Sequence, residues 1–177
     1  MHLEQIEFLA RVREFMPAHF SGAERVLEIG SLDINGTVRS AFSPDAEYTG
    51  VDVSEGPGVD IVCRGDEFDP GDDIRYDVVI SCETLEHDPH WGATVDNMVY
   101  LLKPGGFFLL TCATTGRAEH GTPTTEGGNM SPTPGYYENR TPNDILSLEG
   151  FCASFRRFGW EVNDAHHDLY MWGLKRH

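Results

Sequence analysis

Short apolar runs separated by polar and glycine-rich segments extend along most of the chain, a pattern typical of buried strands. The runs are rich in Val, Ile, Leu and Phe, and they cover residues 25–29, 48–53, 59–63, 76–81, 107–112, 160–163 and 169–174. The run YDVVIS at 76–81 is apolar at most positions. This is expected of a central strand in a parallel sheet, because such a strand is buried on both faces.

Helical spacing of apolar residues predicts an amphipathic helix over residues 3–16, within an N-terminal segment of residues 1–20. Asp88 and Thr141 each precede a proline, which is the pattern of an N-cap followed by proline at the first helical position. Further helices are therefore predicted over residues 37–42, from residue 89 to about residue 102, and from residue 142 with a break at residue 150. Residues 54–58 leave room only for a turn.

The alternation of strands and helices predicts an α/β fold, with a parallel sheet covered by helices on both faces. The length of 177 residues fits one domain over residues 1–177. Ligands of such sheets bind at the carboxyl ends of the strands, where the strand order reverses. Candidate chemistry is therefore sought directly after each predicted strand.

Composition narrows the class of protein. No apolar run reaches the roughly 18 residues of a membrane span, and the N-terminus lacks the pattern of a secretory signal. The four cysteines are far apart in the sequence, which is typical of reduced thiols, so we expect a cytoplasmic protein without a membrane partner. The formal net charge of −16 repels phosphate backbones, so a small molecule is expected as ligand rather than a nucleic acid.

Two strand ends carry features of a nucleotide-type ligand site. Gly30 follows the first strand, where a glycine lets a ligand approach the backbone closely. Asp52 ends the second strand, about 20 residues further on, where a carboxylate can accept both hydroxyl protons of a ribose. The sequence after Gly30 is not GxGxxG, so the fingerprint of a nicotinamide dehydrogenase is missing.

The fourth strand and its sequel supply two more motifs. The strand YDVVIS is followed by Leu85-Glu86-His87, and the sequence KPGG at 103–106 precedes the fifth strand. In this order and spacing, the chain resembles the class I S-adenosylmethionine-dependent methyltransferases, particularly the small type 11 kind, over roughly residues 23–112. The resemblance implies a Rossmann-like, doubly wound sheet of seven strands, mostly parallel with an antiparallel last strand, and here with trimmed helices.

The resemblance also implies an activity and a set of cofactor contacts. The chain would transfer a methyl group from S-adenosyl-L-methionine to an oxygen or nitrogen of a small-molecule acceptor, and S-adenosyl-L-homocysteine would be the product. By position, the implied cofactor-binding residues are Glu28, Gly30 and Ser31 at the methionine end, Asp52 at the ribose, Asp66 at the adenine amino group, Ser81, Cys82 and Glu83 after the fourth strand, and His87 at the edge.

Two features depart from the family pattern. The polar loop at 31–36 replaces the family's run of glycines, and the helix after Asp52 is reduced to a turn. The adenine side is then more open than usual, or it is covered by a second subunit of a homo-oligomer. A non-catalytic cofactor-binding subunit that regulates a partner enzyme is the alternative function.

The segment 113–140 follows the fifth strand and is predicted to overhang the acceptor side of the cofactor. His120 is the candidate general base, because the unperturbed pKa of histidine lies near neutrality. The other substrate-side candidates are Arg117, Glu119, Tyr136, Tyr137 and Arg140. No metal site is predicted, because in the sequence His87-Asp88-Pro89-His90 the aspartate is explained as a helix cap.

Overall fold

A computed structural model describes residues 3–125 and 135–177. The strands are β1 Arg25–Ile29, β2 Glu47–Asp52, β3 Ile61–Val62, β4 Tyr76–Cys82, β5 Leu102–Ala113, β6 Phe155–Asn163 and β7 Asp168–Lys175. The helices are α1 Leu3–Phe15, α2 Pro17–Ser21, α3 Trp91–Leu101, α4 Pro142–Leu146 and α5 Phe151–Ser154. No helix in the described ranges is both long enough and apolar enough to cross a membrane.

The strands form one seven-stranded sheet in the order β3-β2-β1-β4-β5-β7-β6. The pairs β2–β3, β1–β2, β1–β4 and β4–β5 are parallel, whereas β7 runs antiparallel to both β5 and β6. The predicted doubly wound sheet with an antiparallel last strand is therefore confirmed. The strand order reverses between β1 and β4, which places a ligand site at their carboxyl ends.

Each face of the sheet carries its own buried core, because successive residues of a strand point to opposite faces. In β1, Val26 packs under α1 and α2, whereas Leu27 packs on the other face with α3. Val78 and Val79 divide in the same way in β4, and all four of these side chains are fully buried. The continuous apolar runs in the sequence are the result of this burial on both faces.

The predicted helix over residues 37–42 is wrong, because only a 3₁₀ turn at Arg39–Ala41 forms there. Val38 and Phe42 on either side of the turn are buried, and the Phe42 ring stacks on Phe20 with 5.0 Å between ring centroids. The segment thus covers the core as an irregular strap anchored by these side chains. No helix connects β2 to β3 either, so the predicted trimming of helices is confirmed.

Other boundaries differ from prediction as well, and strand β5, for example, begins at Leu102 rather than at residue 107. Helix α3 begins at Trp91 rather than at Pro89, because the Asp88 carboxylate accepts hydrogen bonds from the His90 amide at 2.7 Å and from the Thr94 hydroxyl at 2.5 Å. Strand β6 begins at Phe155 rather than at residue 160, because its first residues pair with the end of β7. The cap at Thr141 forms as predicted, as a capping box with Asp144.

Candidate active site

A cavity of about 790 Å³ opens at the carboxyl ends of β1, β2 and β4. Its wall is made of the ends of these strands and the segments that follow them and β3, with a contribution from the loop after β5. The lining residues are 28–32, 34–36, 38, 51–53, 63–65, 82–84, 87–90 and 120–121. The cavity lies where the strand order reverses, which is the place predicted for ligand binding in an open α/β sheet.

The turn after β1 brings main chain to the cavity wall. Gly30 has φ +80°, and a Cβ atom added to it would stand 1.9 Å from the Thr84 hydroxyl oxygen. Only glycine fits this close approach and this conformation without strain. The amides of Gly30 and Ser31 both donate to the Val51 carbonyl, at 2.8 and 3.1 Å, so the turn is fixed against the end of β2.

Two carboxyl groups stand at the ends of β1 and β2. The Glu28 side chain is 5% exposed and accepts a 2.7 Å hydrogen bond from the Tyr48 hydroxyl, and burial raises the pKa of Glu28 to about 7. The Asp52 carboxylate accepts from the amides of Leu32 and Ser54, each at 3.1 Å. Burial raises the pKa of Asp52, and these amides oppose that effect. Asp52 therefore holds the polar loop at 31–36 in place and also faces the cavity.

The adenine-side residues are arranged differently from the prediction. The Asp66 carboxylate forms a two-point ion pair with the Arg64 guanidinium, with distances of 2.9 and 2.5 Å, and this lowers the pKa of Asp66. Arg64, Cys63 and Gly65 line the cavity, whereas Asp66 is not part of its wall. The role of Asp66 toward adenine thus remains a prediction, and Arg64 is a candidate that sequence reasoning missed.

The end of β4 supplies a further carboxyl group. Glu83 lines the cavity and has φ 55°, the left-handed region that residues other than glycine seldom adopt. Its Oε1 atom accepts from the Thr111 hydroxyl at 2.9 Å, and that hydroxyl accepts from the Gln5 amide at 2.7 Å. Burial, with the nearby Asp168 carboxylate, raises the pKa of Glu83 to about 7. Cys82 also lines the cavity, whereas Ser81 is buried behind it.

Two histidines and a tyrosine meet at the mouth of the cavity. The ring centroids of His87 and His120 lie 5.1 Å apart. The centroid of the Tyr137 ring lies 5.3 Å from that of His87 and 5.0 Å from that of His120. The His120 Nδ1 atom is 3.1 Å from the Ala118 carbonyl, which can only accept, so Nδ1 carries the proton and Nε2 keeps its lone pair. Burial lowers the pKa of both imidazoles, that of His87 to about 4, so both rings are neutral near pH 7.

The other substrate-side candidates lie off the cavity wall. Arg117 bonds to the His166 carbonyl at 2.7 Å and pairs with Asp168 at 3.3 Å. The Glu119 carboxylate accepts from the hydroxyls of Thr122 and Thr124.

Tyr136 and Arg140 bond to each other at 3.0 Å, and the buried Arg140 guanidinium stacks on the Trp91 ring, 4.9 Å from its centroid. Of the predicted loop at 113–140, the residues 126–134 lie outside the described ranges. Within those ranges, the loop reaches the cavity through His120 and Gly121.

Sequence reasoning also missed Glu86. It stands inside the Leu85-Glu86-His87 motif, for which the resemblance implies a role of the histidine alone. The Glu86 side chain is 0% exposed, and burial raises the pKa of its carboxyl group to about 8, with Glu83 adding to the effect. The sequence shows only a charged residue between Leu85 and His87, which does not reveal that its side chain is buried. The burial depends on the loop that covers Glu86, where the Glu138 amide donates to the Glu86 carbonyl at 2.8 Å.

Comparison with known proteins agrees with this architecture. A family model described as a methyltransferase domain matches residues 1–164. Prosolanapyrone synthase of Alternaria solani is 30% identical over 128 residues, which is 69% of this chain and 4% of the synthase. Phthiotriol/phenolphthiotriol dimycocerosates methyltransferase of Mycobacterium tuberculosis is 37% identical over 101 residues, 49% of this chain and 37% of that protein. The chain thus spans only a minor part of these curated relatives.

Solved structures share the fold. The 1,6-didemethyltoxoflavin-N1-methyltransferase of Burkholderia thailandensis, determined with 1,6-didemethyltoxoflavin and S-adenosylhomocysteine, superposes with a TM-score of 0.63 at 19% identity, covering 96% of this chain and 77% of that one. N-methyltransferase NodS of Bradyrhizobium japonicum WM9, in complex with S-adenosyl-L-homocysteine, gives 0.63 at 15% identity, covering 97% and 87%. The chain belongs to the methyltransferase domain family, as the resemblance of its strand-end motifs predicts.

Proposed function

We propose that this chain transfers the methyl group of S-adenosyl-L-methionine to an oxygen or nitrogen atom of a small organic acceptor. The observation that carries the proposal is the convergence of Glu28, Gly30 and Asp52 on one cavity at the reversal of the strand order. Its volume of about 790 Å³ lies within the range of small-molecule sites, roughly 300–1,000 Å³.

Each part of the cofactor has a matching part of the wall. Because Gly30 has no side chain, the methionine portion can lie close to the main chain there, beside the buried Glu28. Asp52 has a carboxylate whose two oxygens each receive a single amide hydrogen bond, so further lone pairs remain for ribose hydroxyls. The adenine would lie toward Cys63, Arg64 and Gly65, on the side left open by the missing helix. Two structural neighbours bound to S-adenosylhomocysteine support this assignment.

Methyl transfer asks chiefly for alignment of the acceptor behind the methyl group. A lone pair of the acceptor forms a bond to the methyl carbon while the carbon–sulfur bond breaks, and the bonding electrons return to sulfur, which becomes neutral. A hydroxyl or ammonium acceptor must also lose a proton. His120 lines the cavity with its Nε2 lone pair available, so it is placed to promote that loss.

The net charge of the chain and the names of similar proteins both favour a small-molecule acceptor. The net charge of −16 disfavours a polyphosphate substrate. Two of the methyltransferases named above carry the names of small organic molecules, 1,6-didemethyltoxoflavin and phthiotriol/phenolphthiotriol dimycocerosates. Oxygen and nitrogen are both retained as acceptor atoms.

The direct test is to incubate the protein with methyl-labelled S-adenosyl-L-methionine and a panel of small phenols, sugars, hydroxy acids and amines. We expect labelled product and S-adenosyl-L-homocysteine to form in equal amounts with one acceptor class. A regulatory subunit would bind S-adenosyl-L-homocysteine equally well but form no product with any acceptor. Binding of NADH without binding of S-adenosyl-L-homocysteine would overturn the proposal.

A further inference from the structure

Three side chains of the kind that bind metals converge beside the cavity, where His87 and His120 line the wall and Glu86 is buried next to them. Glu86 and His87 follow β4, and His120 lies in the loop after β5, so the cluster joins two segments that are distant in sequence. One ligand atom from each of the three residues lies within 4.8 Å of the other two. Ligand atoms around a tetrahedral Zn²⁺ stand about 3.4 Å apart, given metal–nitrogen distances of about 2.0–2.1 Å, so small side-chain rotations bring them to binding distance.

Glu86 gives an independent reason to expect a ligand. Its side chain is 0% exposed, and among the described residues neither carboxylate oxygen has a hydrogen-bond partner of good geometry, the amides of Glu86 and Ala113 being the nearby donors. Buried carboxylates are normally paired, hydrogen-bonded or bound to a metal, because loss of hydration is otherwise uncompensated. The nearby Glu83 is a second acidic side chain, so it supplies no positive charge to pair with Glu86. A cation between Glu86 and the two imidazoles would compensate this group.

His120 already has the arrangement of a metal-binding histidine. Its Nδ1–H donates to the Ala118 carbonyl at 3.1 Å, which fixes the tautomer and leaves Nε2 as the donor atom for a ligand. Metal-bound histidines almost always donate their second ring nitrogen in this way, to a carbonyl or a carboxylate. His87 and His120 both line the cavity, so an ion held by them would be open to a bound small molecule.

We propose that Glu86, His87 and His120 form a binding site for a divalent transition-metal ion of the Zn²⁺, Co²⁺ or Fe²⁺ type. Two imidazole nitrogens and one carboxylate are the donor set of such ions, whereas Mg²⁺ and Ca²⁺ prefer oxygen ligands alone. Three protein ligands leave coordination positions free toward the cavity. This inference rests on the proposed function and specifies its acceptor as a molecule with a hydroxyl group that binds the ion.

The ion changes the way in which His120 acts on the acceptor. A hydroxyl oxygen bound to the ion loses its proton more easily, and the proton passes to water, because Nε2 of a metal-bound His120 has no lone pair left to take it. The resulting alkoxide forms the bond to the methyl carbon as the carbon–sulfur bond breaks. Without an ion, the same imidazole would act as a general base alone. The two roles therefore predict different results when the metal is removed: turnover falls if His120 is a metal ligand, and it is unchanged if His120 is a general base alone.

The test is calorimetric titration of EDTA-treated protein with Zn²⁺, together with the visible absorption of the Co²⁺-loaded protein. We expect one Zn²⁺ per chain and a Co²⁺ spectrum with nitrogen ligands. Glu86→Gln and His120→Ala should each weaken Zn²⁺ binding at least tenfold. His166→Gln is the matched control, because this half-exposed imidazole lies 3.1 Å from the Glu4 carboxylate and is not part of the cluster. Its loss should leave the affinity of the cavity site unchanged.

Binding of S-adenosyl-L-homocysteine by the same EDTA-treated variants separates the two proposals. Retained binding in Glu86→Gln and His120→Ala shows that the fold and the cofactor site survive. Under that condition, no Zn²⁺ binding by the parent protein, or equal Zn²⁺ affinity in the parent and both variants, would overturn the metal site and leave the proposed function standing. Loss of S-adenosyl-L-homocysteine binding by the parent protein would overturn the proposed function instead.

Discussion

The Tyr48 hydroxyl donates a 2.7 Å hydrogen bond to Oε2 of Glu28, across the parallel pair β1–β2 at the floor of the cavity. The tyrosine stabilises the ionised carboxylate, yet burial outweighs it and raises the pKa of Glu28 from 4.5 to about 7. In an unfolded chain the same group releases its proton near pH 4.5. Folded and unfolded protein therefore bind different numbers of protons between these two values.

This difference predicts that Glu28 makes stability depend on pH. The folded state holds the proton between about pH 4.5 and 7 and the unfolded state does not, so the contribution of Glu28 is full below pH 4.5 and is lost as pH rises through 7. Glu28→Gln should remove this part of the pH dependence, on the order of 1–3 kcal/mol between pH 5 and 8. Urea unfolding at both pH values measures it, with the exposed Glu149→Gln as control. An identical pH dependence in parent and Glu28→Gln would contradict the assignment.

Gly30→Ala should destabilise the protein and close part of the cavity. The new Cβ would meet Thr84 at 1.9 Å in a left-handed backbone conformation, so a steric clash adds to the backbone strain of about 1–2 kcal/mol. Gly71→Ala separates the two effects, because Gly71 also has a positive φ, +104°, but no atom within 4 Å of its Cβ position. Equal losses of unfolding free energy in the two variants would show that the contact with Thr84 is unimportant.

Asp52→Ala should weaken binding of S-adenosyl-L-homocysteine by about 1.5–3 kcal/mol, the usual loss for hydrogen bonds to a charged group. Part of this loss would come from the Leu32 and Ser54 amides, which lose their acceptor and no longer hold the polar loop. Calorimetric titration of the variant checks the value, and Asp45→Ala, in an exposed turn, is the control. An unchanged dissociation constant would show that the ribose lies elsewhere.

His120→Ala should lower turnover by about 10²-fold or more when the acceptor is a hydroxyl or an amine, whether the imidazole acts as base or as metal ligand. Affinity for S-adenosyl-L-homocysteine should stay nearly constant, because the proposed binding mode places His120 beside the acceptor rather than beside the cofactor. Initial rates at saturating cofactor measure the effect, with His166→Gln as control. Full turnover in His120→Ala would direct attention to Tyr137, whose ring lies 5.0 Å from that of His120.

Much of the fold could be predicted because it follows from burial on both faces of the sheet. The first strand was predicted at 25–29 and is observed at Arg25–Ile29. The segment at 37–42 was predicted as a helix from local preference, but contacts of Phe42 with the distant Phe20 decide its conformation. The start of β6 likewise depends on pairing with β7, which no local pattern reveals.

The candidate site also has a part that the sequence predicts and a part that it does not. Gly30, Asp52 and Glu83 could be placed together because parallel strands end at one edge of the sheet. The meeting of His87, His120 and Tyr137 depends on the path of a long loop, which sequence spacing does not fix. The position of Asp66 after β3 predicts a contact with adenine, but Arg64, two residues earlier, binds its carboxylate, and this local ion pair competes with the predicted role.

Calorimetric titration with S-adenosyl-L-homocysteine, beside NADH as the competing nucleotide, tests the central claim most directly. The account predicts one S-adenosyl-L-homocysteine site per chain, a melting temperature that rises with ligand concentration by mass action, and a weaker site in Asp52→Ala. No heat of binding and no shift in melting temperature with S-adenosyl-L-homocysteine, with binding of NADH instead, would contradict it.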